Sequence, residues 1–166
     1  MFHSIYTTII GICLLLLGAC ESYDFKVNDK VVYSPDPLFS DYEVADQPLR
    51  DCLQQAIADG VITGPGQLDT LNCSHAGISD LSGLATFTGL TSLKLSNNNI
   101  RNLVELGSLT GLQELILDHN QIIDPVPLYQ LPALQVLDIS GNPALQCPQN
   151  NGLLRVTTLT LPAHCN

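Results

Sequence analysis

Apolar residues in the second half of this chain return at a fixed interval. Leu90, Leu93, Leu95, Asn98 and Ile100 recur 22 residues later as Leu112, Leu115, Leu117, Asn120 and Ile122. Backward the period gives Leu68, Leu71, Cys73, Ala76 and Ile78; forward it gives Leu134, Leu137, Ile139 and Asn142, then an incomplete copy in Val156, Leu159 and Leu161. Within each L-x-L the two leucines point to one side of a short strand and the residue between them to the other. Stacked copies therefore share a core and expose a sheet, and the order of the copies makes its strands parallel. Asn98, Asn120 and Asn142 fall where the chain turns inward, and a buried amide there is expected to bond the main chain of its own and the neighbouring copy. The end copies carry Ala76 and His164 at this position, as terminal units do. Leu81 and Leu103, then Leu84, Leu106 and Leu128, then Phe87, Leu109, Leu131 and Leu153 supply the opposite wall. Its segments are rich in Gly, Pro and Thr, which predicts short 3₁₀ turns or extended pieces rather than long helices.

Before the repeats, Leu49, Cys52, Leu53, Ala56 and Ile57 follow helical spacing, with Asp46 placed as N-cap and Gly60 as a stop. This amphipathic helix is expected to cover the first copy, since both ends of an open solenoid need covers. Cys73 takes the inward position of Leu95 and Leu117, so a helix lying there brings Cys52 onto it. Cys147 likewise stands at the inward position of Leu103, with Pro125 between, and a bond to Cys165 would close the other end. Four cysteines permit three pairings, and sequence separation favours these two. Zinc is the alternative, but no C-x-x-C pair and no histidine at ligand spacing supports it.

The pattern L-x-x-L-x-L-x-x-N-x-I resembles the signature of leucine-rich repeats, in the 22-residue class of internalins and many bacterial surface proteins. The resemblance covers residues 68–161 and implies an α/β solenoid of about five repeats with a parallel β-sheet on the concave face. That face is where such proteins usually bind. Its exposed columns are Thr70, Ser92, Glu114, Val136 and Thr158; then Asn72, Lys94, Ile116, Asp138 and Thr160; then Ser74, Ser96, Asp118 and Ser140. Ser92, Lys94, Glu114, Ile116, Asp118, Val136 and Asp138 are the candidate ligand-binding set, suited to a protein, peptide or glycan.

At the other end of the chain, an apolar stretch from Ile5 closes with Leu17-Gly18-Ala19-Cys20, which resembles the lipobox of bacterial lipoproteins. The fifteen residues from Ile5 to Ala19, which include Thr7, Thr8 and Gly11, are fewer than the about 20 a spanning helix needs, so a processed signal fits better than an anchor. The leader departs from the usual pattern in having no Lys or Arg in residues 1–5, and an uncleaved anchor or ordinary secretion are the alternatives. The resemblance implies removal of residues 1–19, lipid on Cys20, attachment to the membrane through that lipid and, since Glu21 rather than Asp follows, passage to the outer membrane of a Gram-negative envelope. In an exported, oxidising setting the four remaining cysteines are expected as disulfides.

The resulting organisation is a lipoprotein signal peptide (1–19), an acidic tether (20–45), an N-terminal cap (46–67) and repeats with a C-terminal cap (68–166). Pro35 and Pro37 break the tether, Val27 to Tyr33 suggests a short strand, and its aromatics leave open that it packs on the cap. A net charge of −10, with Lys26, Lys30, Arg50, Lys94, Arg101 and Arg155 scattered, argues against nucleic acid as a partner.

No phosphate loop, paired carboxylates in a cleft or cofactor motif is visible, so no catalytic residue, cofactor or metal is assigned. Asp118 and His119 with Ser96 or Ser140 suggest a hydrolytic triad, and His75 with His119 a metal pair. An open, regular sheet offers neither an oxyanion hole nor convergent ligands. The expected function is that of a non-catalytic binding module, with an envelope scaffold lacking a discrete ligand as the first rival and an enzyme on the concave face as the second.

Overall fold

The computed structural model describes residues 25–28, 30–33, 35–149 and 152–165. The leader, the lipobox and Cys20 lie outside the described residues. The described residues fall into two units, one ending at Pro37 and one starting at Leu38.

In the first unit, β1 (Phe25–Val27) and β2 (Lys30–Tyr33) pair antiparallel. The single strand expected over 27–33 is thus a hairpin. Asn28, at φ 49°, supplies the left-handed conformation that a tight turn requires and that Asn tolerates.

The second unit is the solenoid. Strands β3 (Thr70–Asn72), β4 (Ser92–Lys94), β5 (Glu114–Ile116), β6 (Val136–Asp138) and β7 (Thr158–Thr160) form one parallel sheet in sequence order. Each strand pairs with the next at an offset of one repeat: Leu71 lies beside Leu93, Leu93 beside Leu115, Leu115 beside Leu137 and Leu137 beside Leu159. The inward leucines of the first four strands are sealed from water. The opposite wall is made of 3₁₀ turns at Leu84–Thr86, Val104–Ser108 and Val126–Gln130, placing Phe87, Leu109 and Leu131 in the core.

The asparagine column ties successive coils together. Asn98 Oδ1 accepts from the N–H groups of Gly77 and Ile78 in the preceding coil, while its Nδ2 donates to the carbonyls of Cys73 and Leu95. Asn120 accepts from Ile100 N–H and donates to Leu95 and Leu117; Asn142 accepts from Ile122 N–H and donates to Leu117 and Ile139. All three are buried, and each satisfies backbone groups that a turn would otherwise orphan.

Helix α1 (Gln47–Gly60) lies at the start of the stack, burying Leu49, Leu53 and Ile57. Asp46 caps it, accepting from Leu49 N–H at 3.0 Å. The helix ends one residue later than the sequence suggests: Gly60 is still helical, and Val61 takes the left-handed cap at φ 51°. The Cys52–Cys73 disulfide joins α1 to the first coil.

Ahead of α1, residues 38–45 lie against the repeats. The N–H of Phe39 donates to Ile62 C=O at 2.8 Å, and the rings of Phe39 and Tyr42 pack edge-on against buried Phe87 at 5.8 and 5.2 Å. Of the two readings of this aromatic segment, packing on the domain is the one seen from Leu38 onward. Gly83 explains the closeness: at φ 92°, a Cβ there would stand 2.0 Å from Glu43 C=O.

The C-terminal end departs from expectation. Cys147 and Cys165 are bonded, but Cys147 is exposed rather than inward like Leu103 and Pro125. The proline-flanked chain around it has left the coil's path, and the bond fastens the loop to the 3₁₀ turn Ala163–Cys165 instead of closing the stack. All three residues of β7 are exposed.

Candidate functional site

The strand registers set the outward side chains in rows across the sheet. Glu114 pairs with Val136, Ile116 with Asp138, and Lys94 with Ile116. Ile116 and Val136 are therefore diagonal neighbours, each with a carboxylate directly across the strand pair. Ser92, Lys94, Glu114, Ile116, Asp118, Val136 and Asp138 are all half-buried, and the outward residues of the end strands, Thr70, Asn72, Thr158 and Thr160, are more exposed. The apolar content of the face is this aliphatic pair, without an aromatic side chain.

The polar residues are held by bonds between coils and within them. Ser92 Oγ donates to Glu114 Oε2 at 2.6 Å, and Lys94 Nζ stands 3.4 Å from Glu114 Oε1. Ser96 Oγ donates to Asp118 Oδ1, while Asp118 Oδ2 lies 2.8 Å from His119 Nδ1. Ser140 N–H donates to Asp138 Oδ1 at 2.9 Å. The hydrogen bond from Ser92 draws the Glu114 carboxyl below its ordinary pKa despite partial desolvation, with help from Lys94. For Asp118 desolvation acts upward, and the bonds from Ser96 and His119 outweigh it, so its pKa also falls. Both groups are firmly ionised at neutral pH. Fixed anionic sites beside two aliphatic side chains favour a partner presenting basic and apolar groups at matching spacing.

The serine-to-acid bonds span one repeat each and do not follow from the outward columns alone. The signal was available, since Ser92 and Glu114, like Ser96 and Asp118, are 22 residues apart and so adjacent once the register is known.

The same geometry bears on the triad of Ser96, Asp118 and His119. In a hydrolytic triad the histidine stands between nucleophile and carboxylate. Here Asp118 stands between Ser96 and His119, one oxygen to each, so the imidazole is not held against the serine hydroxyl. His119 belongs to another column, with His75, Asn97 and Gly141, all at φ between 55° and 65°. His75 N–H donates to Ser96 C=O, Asn97 N–H to Asp118 C=O and His119 N–H to Ser140 C=O, so these are the turn residues that carry the chain out of the sheet. Asn97 intervenes between the histidines. Gly141 sits close under the His119 ring, where a Cβ would stand 3.0 Å from Cγ.

No histidine stands at ligand spacing from a cysteine in the sequence, yet the fold brings His164 to Cys147 and Cys165, with ligand atoms within 4.8 Å of one another. Both sulfurs are spent on the disulfide, and His164 Nε2 lies 2.9 Å from Leu145 C=O. This arrangement is a disulfide with a neighbouring imidazole, not a set of thiolate ligands.

Comparison with known proteins agrees with the architecture. The family model described as Leucine Rich repeats (2 copies) matches residues 110–160, the stretch carrying β5, β6 and β7. An internalin (inlF) from Listeria monocytogenes superposes with a TM-score of 0.61 over 72% of this chain and 37% of its own length, at 21% identity. The chain folds as a leucine-rich repeat solenoid. Internalin C2 (inlC2) from the same organism is 31% identical over 51% of this chain and 37% of its own, with a TM-score of 0.47. The functional domain of InlJ from Listeria monocytogenes, which includes a cysteine ladder, is 25% identical over 58% of this chain and 26% of its own, with a TM-score of 0.43. This leucine-rich repeat chain thus spans little more than a third of the two internalins and about a quarter of the InlJ domain. No curated protein sequence matches it. Among the described residues no helix is long and apolar enough to cross a membrane.

Proposed function

We propose that this leucine-rich repeat chain is a lipid-anchored envelope protein that binds a protein or peptide segment on its concave sheet, without catalysis. The observation that carries the reading is the pre-set group of carboxylates, Glu114, Asp118 and Asp138, around the aliphatic pair Ile116 and Val136. Groups already fixed by serine bonds lose little side-chain freedom on binding, so a complementary basic and apolar segment is recognised at low ordering cost. The fold supports the reading, because repeat solenoids offer their concave surface as an extended binding face. A glycan is the weaker fit, since the face lacks an aromatic platform.

Lipid on Cys20, with residues 20–37 as a linking segment that includes the hairpin, would hold this face at the envelope, and Glu21 favours the outer membrane. Two long acyl chains suffice for stable attachment, each buried methylene contributing about 0.8 kcal/mol. Cys20→Ser or globomycin treatment is expected to stop processing and release the chain from the membrane fraction; unchanged partitioning rejects the anchor.

The binding reading is tested by recovering envelope components on the full chain and on a variant carrying Glu114→Gln, Ile116→Ser and Asp138→Asn. Loss of a specific protein from the variant supports the concave site. An identical recovered set rejects it in favour of a scaffold without a ligand at this face.

A further inference from the structure

The two edges of the sheet are unlike. Beside β3 stands α1, bound through Cys52–Cys73, whereas β7 ends the strand order, and among the described elements of residues 38–166 only β6 packs against it. The inward leucine of β7 shows the consequence: Leu159 is 40% exposed, while Leu71, Leu93, Leu115 and Leu137 are at most 1% exposed.

The main chain of β7 is directed in a definite way. Thr158 N–H donates to Gln135 C=O and Thr160 C=O accepts from Ile139 N–H, each at 3.0 Å, so both threonines turn their backbone groups toward β6. Strand alternation then directs the N–H and C=O of Leu159 away from the sheet. Edge strands are normally protected by shortness, charge, proline or a bulge, and β7, at three residues, has only the first of these. From Val156 to Leu161 the sequence Val-Thr-Thr-Leu-Thr-Leu holds no ionisable side chain and no proline. Arg155, the nearest cation in sequence, is occupied by the carbonyls of Leu128, Leu131 and Gly152.

The local sequence is also symmetric about its centre. Thr158 and Thr160 flank Leu159 on both sides, so the strand reads the same when reversed. An antiparallel partner of identical sequence would set Leu159 opposite Leu159 as a doubly hydrogen-bonded pair, with each Thr158 opposite Thr160 of the other copy. Threonine pairs of this kind are favourable across strands. The two exposed leucines would meet on the core side and close both open stacks, and the two concave faces would join into one surface.

We propose that β7 is a homodimer interface, occupied by β7 of a second copy in antiparallel, two-fold arrangement. Self-complementarity is what selects a second copy over an unrelated strand: an isologous contact needs the same patch to fit itself, and the Thr-Leu-Thr edge does so in backbone, side chain and charge.

Sedimentation of the full chain in non-ionic detergent over a range of concentrations tests this, with two variants. In Thr158→Lys with Thr160→Lys, like charges face each other at both cross-strand pairs, and dimerisation is expected to weaken at least about tenfold. In Thr158→Glu with Thr160→Lys, opposite charges meet at both pairs, and dimerisation is expected to return to the wild-type level or exceed it. Both positions are exposed in the monomer, so circular dichroism should report an unchanged fold. A wild-type chain that stays monomeric throughout overturns the proposal, as does a lysine variant that dimerises as tightly as the wild type. A monomeric wild type that captures a different protein through β7 likewise overturns it.

Discussion

The two ends of the solenoid each carry a disulfide, yet only one is sealed. At the start, α1 inserts Leu49, Leu53 and Ile57, Cys73 is buried, and Asp46 reaches beyond its own helix to accept from the N–H groups of Ser79 and Asp80 at 3.0 and 3.1 Å. At the finish, Cys147–Cys165 fastens a loop while all of β7 remains exposed. The lesson is that a cross-link constrains the unfolded chain but does not remove apolar surface from water. Covering a stack requires an apolar element laid across it, and the first coil has one.

The largest predicted contrast is between equivalent leucines. Leu71→Ala should destabilise by about 2–5 kcal/mol and Leu159→Ala by less than about 1 kcal/mol, read from urea unfolding midpoints of monomeric protein. Equal losses would mean that the far end is covered after all. Next come the disulfides, whose loops span 21 and 18 residues. Loop entropy alone assigns each about 3 kcal/mol. Replacing Cys52 and Cys73 by Ser should nonetheless cost more than replacing Cys147 and Cys165, because only the first pair places a hydroxyl in the core. Thermal melts of the two double variants check the order.

Asp46→Ala should cost about 2 kcal/mol, the upper range for a helix cap, since its carboxylate also serves the first repeat. The same residue gives the sealed end its pH dependence. Burial acts to raise the Asp46 carboxyl, but the bonds from Ser79, Leu49 and Asp80 outweigh it and the folded pKa is lowered. Its contribution is therefore complete above the unfolded value of about 3.9 and disappears as pH falls through the lower folded value. Acid titration of stability should be shallower below about pH 4 in Asp46→Ala than in the wild type.

Much of the architecture is legible in the leucine spacing, because each position of a repeat has one local task and the register follows from the period. Leu93, Leu115 and Leu137, the three buried asparagines and the helical face of α1 are all read this way. What escapes is whatever depends on chain path between coils. The bonds from Asp46 to Ser79 and Asp80 join residues more than thirty apart, with no periodic signal. Cys147 has the spacing of an inward residue, but Pro143 and Pro148 on either side take the chain elsewhere. Ser92 and Glu114 could have been paired from the period alone, since they stand in one column. The candidate site was thus legible as a list of outward residues, but not as a set of clamped carboxylates.

Hydrogen exchange of the strand amides in dilute full chain tests the asymmetry of the stack most directly. The Leu159 N–H should exchange far faster than those of Leu93, Leu115 and Leu137, which lie between paired strands, and its protection should rise with protein concentration. A Leu159 amide as protected as that of Leu137 in the dilute monomer would contradict the open end on which the comparison is built.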